Sequence, residues 1–66
     1  PLGEWLRGPL RGWAEDLLNQ DRLQSEGYLN PTLVRKTWQQ HLSQRYDWPH
    51  HLWPVLMFQA WLDKAS

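Results

Sequence analysis

Cysteine is absent from this 66-residue chain, which excludes disulfides, thiolate metal ligands and a cysteine nucleophile together. Net charge is absent as well. Seven basic side chains balance seven acidic ones and neither sign forms a long block, so there is no electrostatic footprint for nucleic acid or an anionic membrane. No apolar run approaches the roughly 20 residues that cross a bilayer, and no signal or transit peptide is recognisable. Glycine-rich phosphate loops of the GxxxxGKS/T and GxGxxG kinds, nucleophile elbows and HExxH pairs are all missing. Period-2 alternation is missing too, leaving an all-α reading: a small bundle of three main helices plus one or two short helical turns.

What is present is apolar and aromatic. Six tryptophans stand in a chain long enough for one domain, residues 1–66, of a size that buries only about 60% of its unfolded surface. The most apolar stretch is Leu52 to Leu62, in which Gln59 is the only strongly polar residue. Wound at about 3.6 residues per turn it has no polar face, with Leu52, Val55, Leu56 and Leu62 on one side and Trp53, Met57, Ala60 and Trp61 on another. A helix of that kind needs cover all round, and eleven residues are too few for the cover to be lipid. The chain opens Pro-Leu-Gly without an initiator methionine, which reads as a piece of something longer.

The remaining segments supply that cover. Leu2, Trp5 and Leu6 make a helical turn that stops at Gly8, and Pro9 suits the first position of a second helix. There Leu10, Trp13, Ala14, Leu17 and Leu18 follow the i, i+3, i+4, i+7, i+8 template. Asp21 with Gln24 has the form of a capping box, and Gly27 the form of a stop, for a short helix over 22–26. Asn30-Pro31 opens a further helix as N-cap and N1, with Leu33, Val34, Trp38, His41 and Leu42 on one face to about Arg45. Asp47 can cap the last helix, in which Pro54 predicts a kinked or broken start followed by regular helix to about Lys64.

Candidate chemistry is sparse. His41, His50 and His51 lack the spacing of a metal site, and His41, between Trp38 and Leu42 on an apolar face, reads as a half-buried, hydrogen-bonded core histidine. Glu15 and Asp16 diverge by about 100° on a helix and cannot act on one bond. Arg35-Lys36 and Arg7 with Arg11 are small basic groupings among acidic neighbours. Trp5, Trp13, Trp38, Trp53 and Trp61 fall at core-compatible positions, whereas Trp48 beside Pro49 reads as exposed. No residue is assigned a catalytic, cofactor-binding or metal-binding role.

The order of the segments carries a resemblance. Pro-Leu-Gly-Glu-Trp-Leu-Arg-Gly-Pro-Leu-Arg (Pro1 to Arg11), Trp-Ala-Glu-Asp-Leu-Leu (Trp13 to Leu18), Glu-Gly-Tyr-Leu-Asn-Pro (Glu26 to Pro31), Trp-Gln-Gln-His-Leu (Trp38 to Leu42), Leu52-Trp53 and Leu56 to Leu62 together resemble the C-terminal tail of glutamine-hydrolysing asparagine synthetases, closest to a bacterial branch. The resemblance implies a cytoplasmic parent with an N-terminal glutaminase domain and an ATP-pyrophosphatase-type synthetase domain. Such a parent uses ATP and magnesium to activate aspartate as β-aspartyl-AMP, and ammonia from glutamine then gives asparagine, AMP and pyrophosphate. The family's Ser-Gly-Gly-x-Asp-Ser loop and glutaminase cysteine have no counterpart here, so no catalytic residue carries over. The family usually lacks proline where Pro54 stands. The implied role is structural, with the remainder of the synthetase domain as partner and neither nucleic acid nor membrane involved. The rival reading is a free-standing helical interaction module, self-associating through exposed apolar surface.

Overall fold

A computed structural model describes residues 2–44 and 48–65. Five helices follow in order: α1 (Leu2–Arg7), α2 (Arg11–Leu17), α3 (Gln20–Glu26), α4 (Pro31–Leu42) and α5 (Pro49–Ala65). No strand occurs among the described residues, as the all-α reading requires. The longest helix, α5, packs against α1, α2 and α4, while α3 lies on α4.

Two of the predicted helix starts move. The second helix begins at Arg11 with Leu10 as N-cap, two residues after Pro9, because the turn closing α1 reaches further. In that turn the Leu10 N–H donates to the Trp5 carbonyl at 2.8 Å and the Arg11 N–H to the Gly8 carbonyl at 3.0 Å. The third helix begins at Gln20, capped by Asn19, whose side-chain oxygen accepts from the Arg22 N–H at 3.2 Å. Asp21 is therefore a first-turn residue and not the cap; Asn19, two residues earlier, supplies the cap instead. The stop at Gly27 is as expected, with φ +75° in the left-handed region that glycine adopts without strain.

The start of α4 also agrees with its sequence signals. Asn30 Oδ1 accepts from the Leu33 N–H at 3.1 Å, and Pro31 occupies the first turn. The helix ends at Leu42, with Ser43 as its cap; Arg45, the expected end, and Asp47, the expected cap of α5, lie outside the described residues. Gln44 leaves α4 with φ +64°.

Of the kinked or broken start anticipated for the last helix, the break does not occur. One helix runs from Pro49 through Pro54 to Ala65, and its first turn is closed by the Leu52 N–H on the Trp48 carbonyl at 2.9 Å. Pro54 removes one intrahelical donor, but it is exposed, so water can serve the carbonyl left over. Leu6, Ala14, Leu17, Leu18, Leu23, Trp38, Leu52 and Leu56 form the sealed core, with Val34 at its edge.

Candidate docking face and its buried supports

The histidines are not brought together. His41 is fully buried, deeper than the half-buried position its pattern suggests, whereas His50 and His51 are exposed. The Trp48 N–H donates to His41 Nδ1 at 3.0 Å and His41 Nε2 lies 2.9 Å from the Gly3 carbonyl oxygen. One tautomer satisfies both contacts, with the proton on Nε2. The His41 carbonyl in turn accepts from Arg7 Nε at 2.7 Å, so one residue of α4 ties down α1 and the entry to α5. Its ring lies within 15° of parallel to that of Trp38.

Trp38 itself is sealed and polar-satisfied: its Nε1–H donates to Glu15 Oε2 at 2.9 Å. Arg35 closes the other side, donating from Nη1 to Glu15 Oε1 at 2.9 Å and to the Leu18 carbonyl at 3.0 Å. Burial alone pushes the Glu15 carboxyl up. The hydrogen bonds from Trp38 and Arg35, with the charges of Arg35 and Arg11, outweigh that and hold it below its ordinary value. Glu15 thus joins α2 to α4 by itself, and Asp16, one residue on, is exposed.

The third support is Gln59, 1% exposed in the middle of the apolar run. Its Nε2 donates to the Leu17 carbonyl and to Glu26 Oε1, both at 2.9 Å, while its Oε1 is buried without a partner. Glu26 Oε2 accepts from Arg22 Nε at 3.0 Å, and Arg22 Nη2 reaches Asp63 on α5 at 3.0 Å. Burial pulls the Arg22 guanidinium down, but the Glu26 hydrogen bond and the charges of Asp63, Glu26 and Asp16 outweigh it and raise it overall. The last carbonyls of α2, which has no basic residue in its final turn, are thereby capped by tertiary side chains.

Among the described residues no three His, Asp or Glu side chains converge where an ion could sit. Arg22 and Arg35 are committed to carboxylates. What the molecule offers instead is apolar surface. Trp61 is 63% exposed and Met57 and Trp13 are more than a third exposed, so two tryptophans expected at core positions face outward, as does Trp5 on α1. Trp48, expected to be exposed, is half-buried because its indole N–H reaches Gln40 Oε1 at 3.1 Å and its ring meets His51 edge-on.

These side chains are continuous along α5. Trp53, Met57 and Trp61 recur at i, i+4, i+8, and Trp13 packs on Trp53 with ring centroids 6.1 Å apart. Phe58 links Trp61 to the exposed Tyr28, at 6.2 and 5.9 Å. On the α4 side an apolar hollow of about 170 Å³ opens between Leu33, Val34, Thr37, His51, Leu52 and Val55. Leu33 borders it and is 60% exposed, against its expected place on the inward face of α4. From Trp53 to Leu62 the outward surface of α5 carries no charged side chain. No helix among the described residues is long and apolar enough to cross a membrane.

Sequence reasoning missed Gln59 and Glu15 as structural residues. The signal for Gln59 was its isolation among apolar neighbours; for Glu15 no local signal existed, since its partners lie 20 and 23 residues away.

The asparagine synthase family profile matches residues 1–63. The chain is also similar to asparagine synthetase [glutamine-hydrolyzing] 1 of Bacillus subtilis (strain 168), with 23% identity over 61 residues. That alignment covers 92% of this chain and 9% of the Bacillus protein, so the chain spans about a tenth of that relative's length. No solved structure gives a significant match.

Proposed function

The chain belongs to the asparagine synthase family, and from that premise we propose that it is the C-terminal helical part of an asparagine synthetase-like enzyme, non-catalytic itself and docked on the remainder of the synthetase domain. The parent is a cytoplasmic, bacterial-type ligase and amidotransferase. It converts aspartate to asparagine through an acyl-adenylate, with glutamine as the ammonia source. In this reading ATP and magnesium are held by the remainder.

The observation that carries this reading is the uncharged outward surface of α5 from Trp53 to Leu62, with Trp61 63% exposed. Apolar patches of that kind on a small domain mark an interaction site. The chain matches 9% of a relative's length, which supports taking the rest of the same polypeptide as the occupant.

Sequencing the coding DNA upstream of Pro1 tests the reading. A cysteine directly after the initiator methionine and a downstream Ser-Gly-Gly-x-Asp-Ser support it, and glutamine-dependent formation of asparagine, AMP and pyrophosphate then identifies the reaction. A start codon close to Pro1 with neither motif overturns it in favour of the free-standing interaction module.

A further inference from the structure

We propose that Gln59 is a register latch: it selects which of two adjacent faces of α5 is turned fully into the core, and so which face is left outward for docking. The inference rests on the docking reading only for its consequence; the latch is a property of the 66-residue chain itself.

The ambiguity lies in the spacing. Leu52, Leu56, Gln59 and Asp63 stand at i, i+4, i+7 and i+11 and face inward or toward Arg22. One residue along, Trp53, Met57, Ala60 and Lys64 repeat the same spacing. Rotating α5 by about 100° therefore exchanges Leu52, Leu56 and the polar Gln59 for Trp53, Met57 and Ala60, of which Trp53 and Ala60 already lie partly buried against the core, and apolar area by itself does not favour the observed set. Three polar contacts discriminate, the two made by the buried Gln59 amide more than the exposed Asp63–Arg22 pair. In the observed register the Gln59 amide serves the Leu17 carbonyl and Glu26, and Asp63 meets Arg22. In the rotated register Ala60 offers neither acceptor a donor, and Lys64 brings a second positive charge to Arg22.

The unpartnered Gln59 Oε1 points the same way. A buried acceptor without a donor destabilises, so the amide is a poor choice for stability and a good one for specificity. A single buried polar residue fixing helix register at some cost in stability is a known use of such residues. The clamp is shared: Arg22 holds Glu26 in place for the amide and anchors Asp63 one turn along α5.

The test is to label the chain with 5-fluorotryptophan and record fluorine spectra of the wild type, Gln59→Leu and Gln59→Met. The six tryptophans report each register separately. The wild type is expected to give six lines. Both variants are expected to give more than six, or lines broadened by exchange, with a midpoint of thermal unfolding equal to or above that of the wild type. Six sharp lines in both variants overturn the latch. Unfolding of both also overturns it, since the amide would then supply stability in place of register. Because the spectra are taken on the chain alone, neither overturning result bears on docking, and failure of the upstream motifs leaves the latch standing.

Discussion

The two long helices of this small bundle solve opposite problems. In α4 the apolar residues apart from Leu33 keep to one inward stripe, Asn30 and Pro31 mark the start, and Val34 and Trp38 go inward where the pattern places them. In α5 nearly every residue from Leu52 to Leu62 is apolar, yet only Leu52, Leu56 and Gln59 are buried. Hydrophobicity orients α4 and leaves α5 under-determined, so α5 is oriented by hydrogen bonds: Gln59 to Leu17 and Glu26, and Asp63 to Arg22. A stripe tells a helix where the core is; an all-round apolar surface only says that it will be covered.

The largest expected difference between the two helices is in what a tryptophan contributes. Trp38→Ala removes a sealed ring and leaves Glu15 Oε2 without its donor. It should lower the unfolding free energy by about 3–5 kcal/mol, measured by urea unfolding, enough to threaten so small a domain. Pro54→Ala should act in the other direction. An exposed interior proline is replaced by the best helix former and the hydrogen bond to the His50 carbonyl is restored, for a gain on the order of 1–3 kcal/mol in the same assay. No change or a loss would mean that the proline ring itself packs usefully.

Asn30→Ala tests the start of α4 and should cost about 1 kcal/mol, with Asn30→Ser largely restoring it. Smaller still is the acid component from Glu15. Its carboxyl titrates below its ordinary value in the folded chain, so its contribution is fully present above the unfolded pKa and lost as pH falls through the folded one. The stability gap between wild type and Glu15→Gln should thus be present at neutral pH and close at pH values below the ordinary glutamate range; a gap independent of pH would sink the assignment. The side chain is 42% exposed, so solvent screening keeps this effect modest.

The smallest effect on stability and the sharpest contrast with Trp38 comes from Trp61→Ala. With the ring 63% exposed, unfolding should shift by no more than about 0.5 kcal/mol. Binding of a hydrophobic fluorescent dye should fall clearly, because the ring is a central part of the outward patch. A large loss of stability would place Trp61 in the core after all.

Much of the fold was legible. The stops at Gly8 and Gly27, the cap at Asn30 and the stripes of α2 and α4 follow from local chemistry, and the family words run from Pro1 to Leu62. The boundaries that moved, at Arg11 and Gln20, moved because a neighbouring group competed: the Trp5 carbonyl in one case and the Asn19 side chain in the other. The destinations of the tryptophans were less legible, since Trp5, Trp13 and Trp61 face outward and Trp48 is half-buried, each against expectation. An apolar ring at helical spacing states that it can be buried, and its neighbours in space decide whether it is.

By itself, then, the sequence determined that this chain is helical, uncharged overall and related to asparagine synthetases, because periodicity, capping residues and word order are local properties. Only the tertiary structure decided that Glu15 satisfies Trp38, that His41 ties α1 to the entry of α5, and that Gln59 faces inward while Trp61 faces out. Those contacts join residues 7 to 42 positions apart. Which of two adjacent faces of α5 meets the core depends on partners that no local window contains.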